Sequence, residues 1–392
     1  MSNVKDFLKR KDIVITPQRY LIEALGAMAQ GLFASLLIGT IIKTLGQQTG
    51  LDVLVDLGGC PQSSMEGNSA QKLMRCLGIT PEPDDRVYHF GDCPQLDERM
   101  LKALEVDTRA VGDLMRPRES LARRISDTEY IDEWGIRYRY TGLYWDVVES
   151  PLKDATLEEL RSYPFPNPDS IDEKLLETYV ARAKQLYEET DYIICANHPV
   201  YGVFELGCWM CGFEDFLYRM LAEPEFVHCF FERYLEYQLR VTKIYYRALG
   251  PYIHYTSSGD DFATQAAPFF SPQLFRELVK PYFKERIRVT KELTQARFLH
   301  HSCGSIYSLV DDLIDCGVDI LNPIQPKAAN MEPWRLKESY GDRIVFHGGI
   351  DTQELLPFAP PEKVRETVLG TIETMNQGGG YIFAAAHNIP IV

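Results

Sequence analysis

Arg297-Phe298-Leu299-His300-His301-Ser302-Cys303-Gly304-Ser305 begins as a short apolar run and ends in two histidines, a cysteine and a Gly-Ser turn. The run reads as a buried strand, and the turn leads into a helix. Soft, metal-capable side chains therefore stand at the carboxyl end of a strand, where α/β barrels carry their chemistry. Alternation along a strand sends His301 and Cys303 to one face and His300 to the other, toward a helix layer.

Outward from this stretch, strands and helices alternate. Residues 192–196 read as a strand ending in Asn197-His198-Pro199, and 252–255 as one ending in Ser257-Ser258-Gly259-Asp260-Asp261. Residues 318–321 lead to Asn322-Pro323-Ile324-Gln325, 344–346 to His347-Gly348-Gly349-Ile350-Asp351, and 381–385 to His387-Asn388. Helices are predicted over 213–221 and 225–249. Ser271 caps a further helix, with Pro272 at its first position. Six consecutive strands thus end in polar or metal-capable residues, the pattern of a (β/α)8 TIM-like barrel with its site on one face. A doubly wound sheet is the alternative. It would show a glycine-rich phosphate turn after a strand, whereas Gly378-Gly379-Gly380 precedes one.

Toward the N-terminus, 51–59 reads as a strand and glycine turn, 69–77 as a helix and 81–85 as a proline-rich loop. Residues 127–146 alternate polar with aromatic and β-branched side chains, predicting a hairpin that turns near Trp134-Gly135. The four prolines of 151–168 suit a surface linker. Residues 1–50 have another texture and form a separate segment, leaving 51–392 as the barrel domain. Residues 24–42 contain no charged side chain, a length that can cross a bilayer. Residues 12–48 resemble the opening transmembrane segment of phosphotransferase-system sugar transporter IIC subunits. A membrane anchor, a fusion segment foreign to the barrel and a buried helix are the three readings of this stretch.

The 392 residues carry 56 acidic against 41 basic side chains, a net charge of −15. This argues against nucleic acid or an anionic membrane surface as the main partner and favours a small-molecule substrate. Nine cysteines without framework spacing imply reduced thiols and a cytoplasmic setting for the barrel. The close pair Cys208 and Cys211 reads as packing.

His301 and Cys303 at one strand end, with His387 at the last, are compatible with a catalytic zinc site of three protein ligands and one open position. Asp261 is the candidate catalytic carboxylate, with a loop or helix-capping role as its alternative. Asp260, Gln265, Asn322, Gln325 and Asp351 are the expected substrate contacts.

The segments VDLGG at 55–59, GDD at 259–261, HSCGSI at 301–306, DILNPIQ at 319–325, FHGGIDTQELLP at 346–357 and GGGYIFAAAHNI at 378–389 resemble the uroporphyrinogen decarboxylase superfamily, in its methyltransferase-like branch. The resemblance implies a (β/α)8 barrel. It also implies zinc on an H-x-C pair plus a later cysteine, and methyl exchange between a small methylated substrate or thiol and a corrinoid, often carried on a partner protein. His301 and Cys303 match the first two ligands. His387 falls where the methyltransferases have cysteine and where the decarboxylases have histidine. The arginine-rich N-terminal motif and the aspartate motif of the decarboxylases are not recognisable. The family's usual closing helix after His-Asn-Ile is also not seen, which predicts an exposed apolar flank. The leading expectation is a zinc-dependent, corrinoid-linked methyltransferase. The alternatives are a decarboxylase of the uroporphyrinogen type and a non-catalytic corrinoid-partner binding protein.

Overall fold

The computed structural model describes residues 53–65, 67–82, 95–142 and 145–389. Eight strands form one parallel sheet: β1 (Leu54–Val55), β2 (Thr108–Val111), β7 (Ile193–Asn197), β8 (Tyr255–Gly259), β9 (Arg297–His301), β10 (Ile320–Ile324), β11 (Val345–Ile350) and β12 (Tyr381–Ala385). Neighbours run β1-β12-β11-β10-β9-β8-β7-β2, so chain order is spatial order and the last strand pairs with the first. Among the described residues only the β1–β2 seam lacks a ladder. There Asp107 donates its backbone N–H to the Val55 carbonyl at 3.0 Å, and its side chain accepts from the Val55 N–H at 2.7 Å. The result is a nearly closed (β/α)8 barrel.

Between β2 and β7 the chain inserts a four-stranded antiparallel sheet, β3 (Arg123–Arg124), β4 (Glu129–Ile131), β5 (Arg137–Tyr140) and β6 (Trp145–Glu149). The predicted hairpin is its centre. Asp132 accepts the N–H groups of Trp134 and Ile136, and Gly135 takes a φ of +84° that completes the turn. Trp134 packs edge-on against Phe165, Tyr234 and Tyr237, which pins the insertion to the barrel's helix layer. The long helix Pro224–Leu249 supplies that layer's aromatic side, burying Phe226, Phe230, Phe231, Tyr234, Tyr237, Tyr245 and Tyr246.

Three strands depart from their predicted limits. Residues 250–252 form a short 3-10 turn with Pro251 near its start, and β8 begins only at Tyr255. The strands β10 and β11 continue through Asn322 and His347, residues read as loop because they are polar. Each is buried and hydrogen-bonded inside the barrel, so polarity did not mark a strand end. The linker reading of 151–168 is also corrected. It holds a helix, Leu157–Ser162, whose Thr156 and Glu159 form a capping box and whose Leu160 is buried.

Cys208 and Cys211 are free, buried thiols at the end of helix Val203–Cys211. The apolar stretch 24–42, and the membrane segment expected from it, lie outside the described residues. No helix among the described residues is long and apolar enough to cross a membrane.

Candidate metal and substrate site

The mouth of the barrel is built from the ends of β8, β9, β10 and β12. At the end of β9, the His301 Nε2 and Cys303 Sγ atoms are 3.4 Å apart. His387, in the turn after β12, brings its ring centroid to 5.8 Å from that of His301. One ligand atom from each of the three lies within 4.8 Å of the others. Two ligands on a tetrahedral zinc, at about 2.0 and 2.3 Å from the metal, stand roughly 3.5 Å from each other. The His301–Cys303 separation matches that spacing. His301 is buried, while Cys303 and His387 are partly exposed, so the cluster opens to the mouth.

The residues around the cluster hold it in place. Asp261 accepts the Cys303 N–H at 2.8 Å and lies 3.6 Å from His301 Nε2. Gln325 donates to Cys303 Sγ at 3.3 Å, and its carbonyl oxygen accepts from the Gly304 N–H and from Gln265. Gly304 has a φ of +83°, and a Cβ there would sit 2.3 Å from the Thr264 carbonyl oxygen. Only glycine lets the chain turn so tightly after the thiol.

Burial pulls His301 well below the usual histidine range, to about 4, so the ring is neutral, as a metal ligand must be. Burial, reinforced by Asp261 and Glu205, pushes the Cys303 thiol far up. A cation at the cluster would invert that preference, since a coordinating thiol is deprotonated outright.

The expected substrate contacts separate into two groups. Gln265 and Gln325 sit at the mouth as a bonded pair. Asp260, Asn322 and Asp351 are each buried with their polar atoms engaged. Asp260 caps helix Val203–Cys211, accepting from the N–H groups of Phe204 and Glu205. Asp351 accepts three backbone N–H groups, from Gln353, Glu354 and Leu355. Asn322 is held between two histidines: its oxygen is 2.6 Å from His301 Nδ1 and its nitrogen 2.5 Å from His347 Nδ1.

Two residues were missed. Glu205 leans on the site from the first turn of its helix, where its carboxyl feels the charges of Asp261 and Asp260. Burial, then Asp261 and Asp260, raise its pKa above the ordinary carboxylate range. Gln62 lies beside Gly259, which also neighbours His301, and its side-chain oxygen is buried with no partner among the described residues. Neither has a spacing signal in sequence. Glu205 stands between Phe204 and Leu206 in an apolar helix, and Gln62 comes from a turn some 240 residues before His301.

A second cluster, Asp56, Cys60 and His347, also brings its ligand atoms within 4.8 Å of one another. It is sealed inside the barrel, and the carboxylate and imidazole are already occupied. Asp56 accepts from Gly59 N–H, Thr108 Oγ and His347 Nε2, the last at 2.7 Å.

Comparison with curated protein sequences finds no match. Among solved structures the chain is similar to a methyltransferase from Methanosarcina mazei, with 14% identity and a TM-score of 0.54, over 86% of this chain and 88% of that one. At that identity the likeness shows the barrel fold. The transporter resemblance of residues 12–48 finds no support in these matches. Residues 146–392, more than half of the chain, match the family described as uroporphyrinogen decarboxylase (URO-D). The chain belongs to the uroporphyrinogen decarboxylase family.

Proposed function

We propose that this protein is a zinc-dependent methyltransferase of the uroporphyrinogen decarboxylase family. In this reading it moves a methyl group between a small methylated substrate or thiol and a corrinoid co-substrate presented by a partner protein. One observation carries the reading: two imidazoles and a thiol converge at the open end of the barrel with tetrahedral spacing between His301 and Cys303. His301, Cys303 and His387 would hold the metal. When bound, zinc supplies positive charge that lowers the pKa of a coordinated thiol or polarises a methylated group.

The chain's own residues do the rest. Gln325 and Asp261 fix the Cys303 sulfur and its backbone. Glu205, whose pKa burial and the neighbouring aspartates raise, is the group assigned to exchange a proton with the reacting substrate. The methyltransferase fold match supports the transfer reading at the level of fold. All eight cysteines among the described residues are free, which fits a reducing, cytoplasmic setting.

Metal analysis of the purified protein tests the proposal. About one equivalent of zinc is expected, lost in His301→Ala and in Cys303→Ser. A protein that carries no metal and will not take up zinc or cobalt overturns it. The second reading, decarboxylation of a tetrapyrrole acid without a metal, draws on the family match and on the histidine at 387. Turnover of uroporphyrinogen by the metal-free protein would establish it.

A further inference from the structure

Four buried side chains from four strands or strand ends form one line of hydrogen bonds. Asp56, after β1, takes the Nε2 side of His347 in β11 at 2.7 Å. The Nδ1 of His347 meets the amide nitrogen of Asn322 in β10 at 2.5 Å. The Asn322 oxygen meets His301 Nδ1 in β9 at 2.6 Å. The Nε2 of His301 is left facing Cys303 and Asp261. Of the four residues, Asn322 and His347 are fully buried, Asp56 and His301 nearly so.

We infer that Asp56, His347 and Asn322 are positioning residues that fix the tautomer of His301 and so keep its Nε2 lone pair available to a metal. This rests on the metal-site reading above. The chemistry of each group sets the direction of the line. A carboxylate only accepts, so His347 must present N–H at Nε2. A neutral imidazole with hydrogen on Nε2 has a bare Nδ1, which needs a donor, and the Asn322 NH2 supplies it. The amide oxygen then faces His301 and can only accept, so His301 carries its hydrogen on Nδ1. Its Nε2 is bare.

The anchor is held firmly. Burial works against the charge on Asp56, but hydrogen bonds from His347, Ser63 and Thr108 outweigh it and keep the carboxyl below its ordinary range. The sequence is built around this anchor. A Cβ at Gly59 would lie 2.3 Å from Asp56 Oδ1, 2.7 Å from the Tyr255 hydroxyl and 2.8 Å from Thr108 Oγ1. The second glycine of VDLGG is therefore what allows its backbone N–H to reach the carboxylate, at 2.9 Å. Asp56 and His347 are 291 residues apart, so closing the barrel is what completes the line.

Reversing the anchor provides the test. In Asp56→Asn the amide oxygen must still face the Gly59 N–H, which turns its NH2 toward His347. Every hydrogen along the line then shifts, and His301 acquires hydrogen on Nε2. Adding Asn322→Asp restores an acceptor for both histidines, so His301 returns to Nδ1–H with the charge moved one step along the line. Cobalt(II) titration of the metal-free full-length protein, followed by thiolate-to-metal absorption, should show Asp56→Asn weaker by about 10–100-fold and the double variant recovering most of the loss. Equal affinity in wild type and Asp56→Asn, or no recovery in the double variant, overturns the inference.

Nitrogen-15 NMR of the histidines in the metal-free protein gives a readout independent of metal. Nδ1–H at His301 in wild type supports the line, and Nε2–H overturns it. If wild type binds no cobalt, the metal-site reading fails, and this tautomer measurement alone decides the fate of the relay. If Asp56→Asn does not fold, Asn322→Leu reports in its place: it removes the acceptor at His301 Nδ1, so loss of the fixed Nδ1–H tautomer is expected and its retention overturns the inference.

Discussion

Two clusters in this barrel have nearly the same composition. His301, Cys303 and His387 stand at the mouth, and Asp56, Cys60 and His347 lie beneath them. Ligand atoms converge equally well in both. What differs is what those atoms already do. In the lower cluster the carboxylate and the imidazole are saturated by hydrogen bonds, and all three residues are buried. In the upper cluster, among the described residues, His301 Nε2 and Cys303 Sγ meet each other, Asp261 and Gln325, and two of the three residues reach solvent. Convergence of metal-capable residues is thus a poor guide by itself. An unspent lone pair and an open approach separate a ligand set from a structural bond.

The largest expected effect breaks the upper cluster alone. Cys303→Ser should abolish stoichiometric metal binding while leaving the unfolding midpoint of the metal-free protein close to wild type, because Cys303 is only partly buried. A metal content unchanged by Cys303→Ser would erase the contrast between the clusters.

Next in size is the lower cluster's contribution to the fold. His347→Leu strands a buried carboxylate, so a loss of about 3–5 kcal/mol in denaturant unfolding is expected. The double variant Asp56→Leu, His347→Leu should cost less than the two single changes added together, because neither partner is left alone. Strict additivity would show that the pair is not coupled.

The neighbouring histidines of β9 sharpen the comparison within two residues. His300 faces the helix layer as alternation predicts, packed on Phe262 and Phe283 at 5.3 and 4.7 Å, with neither ring nitrogen hydrogen-bonded. Burial, then Arg286 and His301, hold it well below the usual histidine range. A histidine depressed in the folded state takes up its proton first in the unfolded chain, so it destabilises the fold as pH falls below about 6.5. His300→Leu should therefore gain about 1 kcal/mol or more at neutral pH by removing unsatisfied polar atoms. Its advantage over wild type should widen by roughly 1.4 kcal/mol per unit as pH drops from 6.5 toward the folded pKa. A gap that does not change with pH would mean His300 titrates normally.

These cases also show what could be read before folding. The barrel was legible because apolar runs alternate with amphipathic helices. His301, Cys303 and His387 were legible as candidates because each follows such a run. Asn322 and His347 were misread for the same reason, since a polar residue after an apolar run looks like a strand end. Their burial depends on partners supplied by other strands, which no local pattern reveals. Asp56 carried a visible glycine turn, but its task appears only once β1 pairs with β12 and brings it beneath His347. Glu205 was invisible because its raised pKa comes from burial and then from two aspartates that the fold, not the sequence, sets beside it.

The smallest effect is expected at Cys60, and it probes the comparison from the other side. Its thiol is buried beside Asp56, 3.4 Å from Ser63 Oγ, and burial followed by the Asp56 charge pushes it up to about 12. It therefore stays protonated, and a protonated thiol is neither a nucleophile nor a ready ligand. Cys60→Ser replaces one small polar side chain by another that can keep the contact with Ser63. Stability should change by no more than about 1 kcal/mol, and bound metal should remain at the wild-type level. The folded wild-type protein should also resist alkylation at Cys60. Loss of metal in Cys60→Ser would mean that the lower cluster holds the ion, and the division between an open ligand set and a sealed structural bond would have to be redrawn.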